Sequence, residues 1–197
     1  PITKYVPELA GSAYDGVRIK DVLQMSSGAR WNEDYSDPES DINRFGRVFA
    51  LGGSLNELTA TLGREREPGT YNQYNSMDTQ ALGMLLMKAT RRSITDYMQE
   101  KLWQPLGMES DGYWLVDGEN MEMSFGGLNA TARDYAKLGE LFRQGGNWPG
   151  KQIVSEEWVK ASVTPDAPPL MPGDNPNSDY PMGYGYQWWL MGGDEGE

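Results

Sequence analysis

Residues 74–91 read YNSMDTQALGMLLMKATR, and this stretch carries the strongest helix signal in the chain. Its apolar residues recur at positions i, i+3, i+4 and i+7, namely Leu82, Leu85, Leu86 and Ala89. This spacing puts them on one face of a helix, so we predict a helix over residues 78–91. Tyr74 and Ser76 precede that helix and follow a Pro-Gly turn. A tyrosine in such a loop can project into a cleft at the start of the helix.

Six further helices are predicted from apolar spacing and capping residues. The first covers residues 18–25 and ends at a turn in which Gly28 adopts the left-handed conformation. The second has Asp37 as its N-cap, with a proline at the first helical position, and ends near Phe49. The N-caps of the other four are Ser54, Ser93, Thr131 and Ser155.

Strand signals are few and short. They cover residues 113–116, 152–154 and 184–190, and residues 164–183 form a loop rich in Pro, Gly, Asn and Asp. These strands have no obvious partners within the chain. We therefore expect a mainly helical body with a small part of a sheet that is completed by residues outside these 197.

The composition excludes several classes of protein. There are 17 Lys and Arg residues against 29 Asp and Glu residues, so the formal net charge is −12. Nucleic acids and anionic lipids both require a basic surface, so neither is an expected partner. No apolar stretch is long enough to span a membrane. The chain has neither His nor Cys, which excludes a Ser-His-Asp triad, thiol chemistry, disulfides and the usual zinc sites within it.

A serine hydrolase without histidine needs a lysine, a tyrosine or a carboxylate as its base. One such arrangement is a nucleophilic serine three residues before a lysine, assisted by a tyrosine. The chain has no Ser-x-x-Lys, Lys-Thr-Gly or Gly-x-Ser-x-Gly sequence, but it has Tyr74-Asn75-Ser76. Penicillin-recognising enzymes use a similar Tyr-x-Asn or Tyr-x-Ser element. A half-buried tyrosine that donates one hydrogen bond gives the same pattern, so both interpretations stay open.

Several segments, in the same order, resemble the serine β-lactamase-like hydrolases. They are residues 1–10, 17–28, 74–83, 105–108, 126–134 and 150–154. Two more segments, WNEDYSDP at 31–38 and YGYQWW at 184–189, resemble most the 6-aminohexanoate-dimer (nylon oligomer) hydrolase branch. The resemblance covers nearly the whole chain. It implies an α/β (α+β) fold of the β-lactamase type, dominated by the helical domain with a few strands of an incomplete antiparallel sheet.

The resemblance also implies roles for three residues. Tyr74 matches the family tyrosine that acts as general base or proton shuttle. Ser76 matches the second polar position, which orients the base or the substrate; a helix N-cap is the alternative. Tyr35 lies in the segment peculiar to the nylon-hydrolase branch and is expected to donate a hydrogen bond to a substrate amide; packing on the Asp37 helix is the alternative. No cofactor is implied.

The family places its Ser-x-x-Lys before the segment that resembles residues 1–10, and its third motif after the segment that resembles residues 184–189. We therefore expect residues 1–197 to form a single partial domain that lacks the Ser-x-x-Lys part and the C-terminal strands. Without the family lysine, Tyr74 is expected to ionise as an ordinary phenol, near pH 10.

An acidic cluster and a tryptophan pair complete the candidates. Asn32, Glu33, Asp34 and Asp37 lie close together, but their spacing fits no metal-binding loop, so we expect a solvated acidic loop without a metal ion. Trp188 and Trp189, with Tyr184 and Tyr186, are expected either to line an apolar substrate groove or to pack in the core.

The function that these features favour is a serine hydrolase acting on small amides or esters through an acyl-enzyme. One alternative within the enzymes is a D-alanyl-D-alanine peptidase or β-lactamase relative. Another, from a different class, is a non-catalytic binding module with a degenerate site. A Ser-x-x-Lys in the complete gene would favour the enzymes over the module.

Overall fold

The computed structural model describes residues 1–191 and is mainly helical. Its α-helices are α1 (Ile19–Leu23), α2 (Asp41–Ala50), α3 (Leu55–Ala60), α4 (Ser76–Thr90), α5 (Ile94–Met98), α6 (Ala132–Arg143) and α7 (Glu156–Ser162). All seven helices predicted from the sequence are present. Within the described residues, none of them is long and apolar enough to cross a membrane.

Four of the predicted N-caps are confirmed by their hydrogen bonds. Ser54 and Ser93 accept from backbone N–H groups three residues on, at 3.3 and 3.0 Å. Thr131 and Ser155 do the same at 3.1 and 3.2 Å. Each cap satisfies one of the N–H groups that a helix leaves without a partner in its first turn.

The predicted start of α2 is wrong. The Asp37 side chain accepts a hydrogen bond from the N–H of Glu39, which closes a local turn instead of starting the helix. Ser40 is the N-cap, because its hydroxyl oxygen accepts from the N–H of Asn43. A short Asx turn therefore precedes the helix and shifts its start by three residues.

Helix α4 starts two residues earlier than predicted, because Asn75 caps it by accepting from the N–H of Met77 at 2.8 Å. The helix ends at Arg91 in the left-handed conformation. Helix α5 ends at Met98. After Met98 the backbone widens into a π-helical turn at Gln99–Trp103.

The short strands form three antiparallel hairpins. They are β1 (Tyr113–Trp114) with β2 (Leu128–Asn129), β3 (Asn147–Trp148) with β4 (Lys151–Gln152), and β5 (Gly183–Tyr184) with β6 (Trp189–Leu190). Each strand thus pairs with its neighbour along the chain, unlike the partnerless strands expected from the sequence. The single strand predicted over residues 184–190 is a hairpin, with Gln187 at a positive φ of 62° in its turn.

The core lies where α4 packs against α1, α3 and α5 and where the N-terminal segment covers α3. Its buried side chains include Ile2, Val6, Leu9, Val17, Ile42, Leu58, Leu62, Met77, Ala81 and Met84. Because α4 is surrounded on several sides, its N-terminus is a fixed point against which loops from distant parts of the sequence are positioned.

One close approach aligns two loops beside that N-terminus. Gly28 has a φ of +77°, and a Cβ atom there would lie only 2.1 Å from the carbonyl oxygen of Arg66. Only glycine fits at this crossing. Farther along, the Gln73 side chain donates to the carbonyl of Trp31 at 3.2 Å. The segment that follows Gly28 and the segment that follows Arg66 therefore run side by side, which brings residues 31–35 next to residues 74–76.

Candidate active site

Tyr74 lies at the entrance to α4 with its ring against an aromatic wall. The ring stacks on Trp189 with 5.5 Å between centroids and 23° between planes. It also packs against a small buried cluster that contains Met25, Leu170 and Tyr184. Burial raises the pKa of Tyr74 above that of a free phenol, and the charge of Glu33 raises it further. The phenol is therefore less acidic than the ordinary one expected from the sequence.

The β5–β6 hairpin builds the wall. Tyr184 and Trp189 face each other across the hairpin at 4.9 Å in an edge-to-face arrangement. Tyr180 approaches Trp189 at 5.1 Å, also edge to face. Trp188 directly precedes β6 and has a different neighbour, since its ring lies 4.6 Å from that of Phe142. The two tryptophans therefore have different neighbours: Trp189 stacks on Tyr74, and Trp188 packs on α6.

Two contacts hold the hairpin in place. At Gly185, a Cβ atom would lie 1.9 Å from the carbonyl oxygen of Ser162 at the end of α7. In the turn, Gln187 accepts from the Thr79 hydroxyl at 2.6 Å and donates to the carbonyl of Leu23 at 3.0 Å. The aromatic wall is thus connected to α7, α4 and α1.

Glu33 joins the remaining candidate residues. Its Oε1 accepts from the Ser76 hydroxyl at 2.7 Å and from the Tyr35 hydroxyl at 3.0 Å. Its Oε2 accepts from the N–H of Ser76 at 3.3 Å and from the indole N–H of Trp31. The loop that contains Tyr35 is therefore attached to the start of α4 through one carboxylate.

Tyr35 is 70% exposed and borders a groove that Asn43 and Gly46 of α2 also line. Partial desolvation, with the hydrogen bond to Glu33, raises the pKa of Tyr35 to about 12. Since a tyrosine has one hydroxyl proton and Glu33 accepts it, the oxygen has only lone pairs left. Donation to a substrate amide, as expected from the sequence, would require this hydrogen bond to break.

Ser76 is 2% exposed and occupies the first position of α4. The alternative interpretation of Ser76 as the N-cap is wrong, because Asn75 makes that contact. Ser76 instead turns its hydroxyl toward Glu33. Tyr74, Ser76 and Tyr35 therefore lie around one carboxylate and one tryptophan.

Asp78 lies in the first turn of α4 and is 1% exposed. Its Oδ1 accepts from the hydroxyls of Tyr14 and Ser27, at 2.9 and 2.7 Å. Its Oδ2 is buried with no hydrogen-bond partner among the described residues. Burial raises the pKa of Asp78 to about 7, although the bonds from Ser27 and Tyr14 oppose this shift.

The acidic loop does not gather its oxygens around a common centre. Asn32 accepts from the N–H of Asp34, and Asp34 accepts from the N–H and the hydroxyl of Ser36. Over residues 1–191, no group of three or more acidic, His or Cys side chains is arranged to hold a metal ion. The prediction of a solvated loop is wrong for Glu33, which is partly buried and fully hydrogen-bonded.

Sequence reasoning missed Glu33 and Tyr180 as parts of the site. A usable signal was present for Glu33, because Trp31, Glu33 and Tyr35 alternate. In an extended segment residues i, i+2 and i+4 lie on one face, so these three side chains lie together. Nothing in the local sequence indicates that Ser76, 43 residues away from Glu33, completes the set.

Comparisons with known proteins show the family of the chain. A model of the Beta-lactamase family matches residues 1–196. The 6-aminohexanoate-dimer hydrolase of Paenarthrobacter ureafaciens is 32% identical over 204 residues, which cover 100% of this chain and 52% of that enzyme. Protein flp of Staphylococcus aureus (strain NCTC 8325 / PS 47) is 29% identical over 114 residues, covering 54% of this chain and 21% of that protein. The chain therefore spans about half or less of the length of these curated relatives.

Solved structures show the same fold. A Bacillus anthracis protein provisionally assigned as a 6-aminohexanoate-dimer hydrolase superposes with a TM-score of 0.83 at 22% identity, over 98% of this chain and 52% of that one. A penicillin binding protein from Bacillus halodurans superposes with a TM-score of 0.69 at 17% identity, over 98% of this chain and 62% of that one. Since the family model matches all but the last of its residues, the chain belongs to the Beta-lactamase family.

Proposed function

We propose that this chain is part of a serine hydrolase that cleaves small amides or esters through an acyl-enzyme, with Tyr74 as the proton-transfer residue and Tyr35 and Ser76 as substrate-binding residues. The observation that carries the proposal is the convergence of these three side chains at the N-terminus of α4. Membership of the Beta-lactamase family supports hydrolysis as the reaction.

In the proposed reaction, a serine hydroxyl from a part of the protein outside the 197 residues attacks the substrate carbonyl. Tyr74 takes the serine proton and passes it to the departing amine or alcohol as the bond to the carbonyl carbon breaks. Water then cleaves the resulting serine ester and releases the acid. The chain has no Ser-x-x-Lys, and it spans 52% of the 6-aminohexanoate-dimer hydrolase.

Proton transfer by Tyr74 needs a cation close to its hydroxyl. Lowering a phenol from a pKa of about 10 to about 7 takes roughly 4 kcal/mol of preferential stabilisation of the phenolate. Burial and Glu33 act in the opposite direction here. The segment that brings the nucleophile would therefore also bring a lysine, as in Ser-x-x-Lys enzymes. No cofactor takes part in the proposed steps.

For the substrate we propose a small amide with an apolar chain next to the scissile bond. The wall of Trp189, Tyr180 and Tyr184 offers aromatic surface beside Tyr74, and 36% of Trp189 and 38% of Tyr180 are exposed to receive it. The name of the relative in Paenarthrobacter ureafaciens denotes such a substrate, an amide between two six-carbon units. We propose no nucleic acid, membrane or metal ion as a partner.

The test uses the full-length protein that contains these residues. Its hydrolysis of 6-aminohexanoate dimer and of a p-nitrophenyl ester would be followed, and a stalled acyl-enzyme would be sought by intact-protein mass spectrometry. We expect Tyr74→Phe to lower kcat at least 100-fold on both substrates, within the usual range for loss of an acid–base group. Tyr113→Phe is the matched control, because Tyr113 is 67% exposed on β1. A Tyr74→Phe protein as active as the control, or the absence of any acyl adduct, would favour the binding module.

A further inference from the structure

We propose that Glu33 is a positioning residue that draws the hydroxyl protons of Tyr35 and Ser76 toward itself, so that the exposed Tyr35 oxygen meets the substrate as a hydrogen-bond acceptor and selects for an N–H group. This inference rests on the proposed function, which it deepens by naming the class of substrate that the site distinguishes.

The direction of each hydrogen bond at Glu33 follows from its chemistry. A carboxylate has acceptor positions only, so every close contact from an O–H or N–H group must be a donation to it. Glu33 receives the hydroxyls of Ser76 and Tyr35 on Oε1, and the Ser76 N–H and the Trp31 indole on Oε2. Two bonds reach each oxygen, so the carboxylate itself has little capacity left for a substrate.

The two hydroxyls, unlike the carboxylate, keep free acceptor positions. Each has one proton, which it donates to Glu33, and two lone pairs. Tyr35 is 70% exposed, so its free lone pairs are open to a ligand. If either hydroxyl donated its proton to a substrate instead, Glu33 would lose one hydrogen bond at a partly buried position.

Acceptor oxygens distinguish an amide from an ester. A secondary amide presents an N–H that can donate to Tyr35, whereas the matching ester has only oxygen at that position and cannot donate. An N-methylated amide resembles the ester in this respect. The site therefore gains binding energy from the N–H of a secondary amide, and the other two substrates forgo that gain.

Glu33 is also held by features that do not involve the substrate. The Ser76 N–H is one of the unpaired donors in the first turn of the 15-residue helix α4, where a negative charge is favoured. The Trp31 indole fixes the other side of Oε2. These contacts keep the carboxylate in place when the site is empty, so the orientation of both hydroxyls exists before a substrate arrives.

The experiment replaces Glu33 by Gln in the full-length protein. Gln has nearly the same shape but one acceptor oxygen and an NH₂ donor, so it cannot accept all four bonds, and one hydroxyl must turn. Glu39→Gln is the matched control: it removes the same charge from the same loop at an exposed position. Three substrates with one acyl group are compared: a secondary amide, its N-methyl amide and the ester.

We expect Glu33→Gln to lower kcat/KM for the secondary amide about 10- to 100-fold, which corresponds to the loss of one hydrogen bond that depends on a charged group. The N-methyl amide and the ester should change less than about 3-fold. An equal loss on all three substrates would overturn the proposal, because it would mean that Glu33 only maintains the fold.

A second readout does not depend on turnover. The ultraviolet titration of Tyr35 is isolated by subtracting the curve of the matching Tyr35→Phe protein, in wild type and in Glu33→Gln. We expect Tyr35 to ionise at lower pH in Glu33→Gln, whereas an unchanged titration would overturn the proposed hydrogen bond. A wild-type protein that cleaves none of the three substrates would overturn the proposed function, and the titration would still decide whether Glu33 holds the Tyr35 proton.

Discussion

Asp78→Asn should remove a loss of folding stability that the wild-type protein undergoes as the pH rises. Burial raises the pKa of Asp78 from 3.8 to about 7, so the folded state holds this proton more tightly than the unfolded chain does. The free energy of unfolding must then fall as the pH rises from about 4 to about 7, and it levels off above that. A difference of about three pKa units corresponds to about 4 kcal/mol at pH 8. That is a large share of the stability of a typical domain.

Asparagine keeps an oxygen for the Tyr14 and Ser27 hydroxyls but cannot ionise. Its NH₂ group would lie near the unpaired Oδ2 position and cost about 1–3 kcal/mol at every pH. We therefore expect Asp78→Asn to be less stable than wild type at pH 4. The variant's stability relative to wild type should rise by about 4 kcal/mol by pH 8.

The assay is urea unfolding at intervals between pH 4 and pH 8, with the difference between variant and wild type plotted against pH. Asp134→Asn is the control, because it replaces a buried carboxylate whose pKa is lowered instead of raised. Asp134 is buried near the start of α6, where the N–H of Glu109 is the main cause of its lowered pKa. Because its pKa is lowered, its carboxylate is ionised and stabilises the fold throughout this range, so the difference between Asp134→Asn and wild type should stay nearly constant between pH 4 and pH 8. A flat difference curve for Asp78→Asn would refute the reasoning about its burial.

Two further changes test the hairpin that forms the aromatic wall. Trp189→Ala should raise KM about 10-fold for a substrate with a hydrocarbon chain and leave the reactivity of a short ester nearly unchanged. The reason is that it removes apolar contact area, which contributes roughly 25 cal/mol of binding free energy per Å². Trp158→Ala, at a similarly exposed site on α7, is the kinetic control. Gly185→Ala should lower the free energy of unfolding by more than about 2 kcal/mol in urea, because its Cβ would collide with the Ser162 carbonyl. Gly46→Ala in α2, where a Cβ meets nothing within 4 Å, should instead raise stability by up to about 1 kcal/mol.

Local sequence predicted the helices well, for a physical reason. Caps and apolar periodicity act over three or four residues, so Ser54, Ser93, Thr131 and Ser155 could be recognised without knowledge of the fold. Errors occurred where two local options compete. Asp37 can cap a helix or close an Asx turn with equal ease, and the choice depends on how the loop is anchored.

The residues of the candidate site were partly accessible from the sequence. Tyr74, Tyr35 and Ser76 were proposed from resemblance, and the structure brings them to one place around Glu33. The hydrogen-bond direction at Tyr35 and Ser76 was not accessible, since it depends on which acceptor each hydroxyl reaches. That acceptor is two residues from Tyr35 but 43 from Ser76.

The sequence by itself determined the helical character of the chain and the absence of histidine and cysteine chemistry, because both depend on composition and short spacings. It also carried the family signal that the comparisons confirm. Only the tertiary structure decided that the 184–190 segment is a hairpin whose two tryptophans face different neighbours. It also decided that a carboxylate from an acidic loop meets the start of α4. The neighbours of the two tryptophans and of this carboxylate lie far from them in the chain, and no local pattern encodes such contacts.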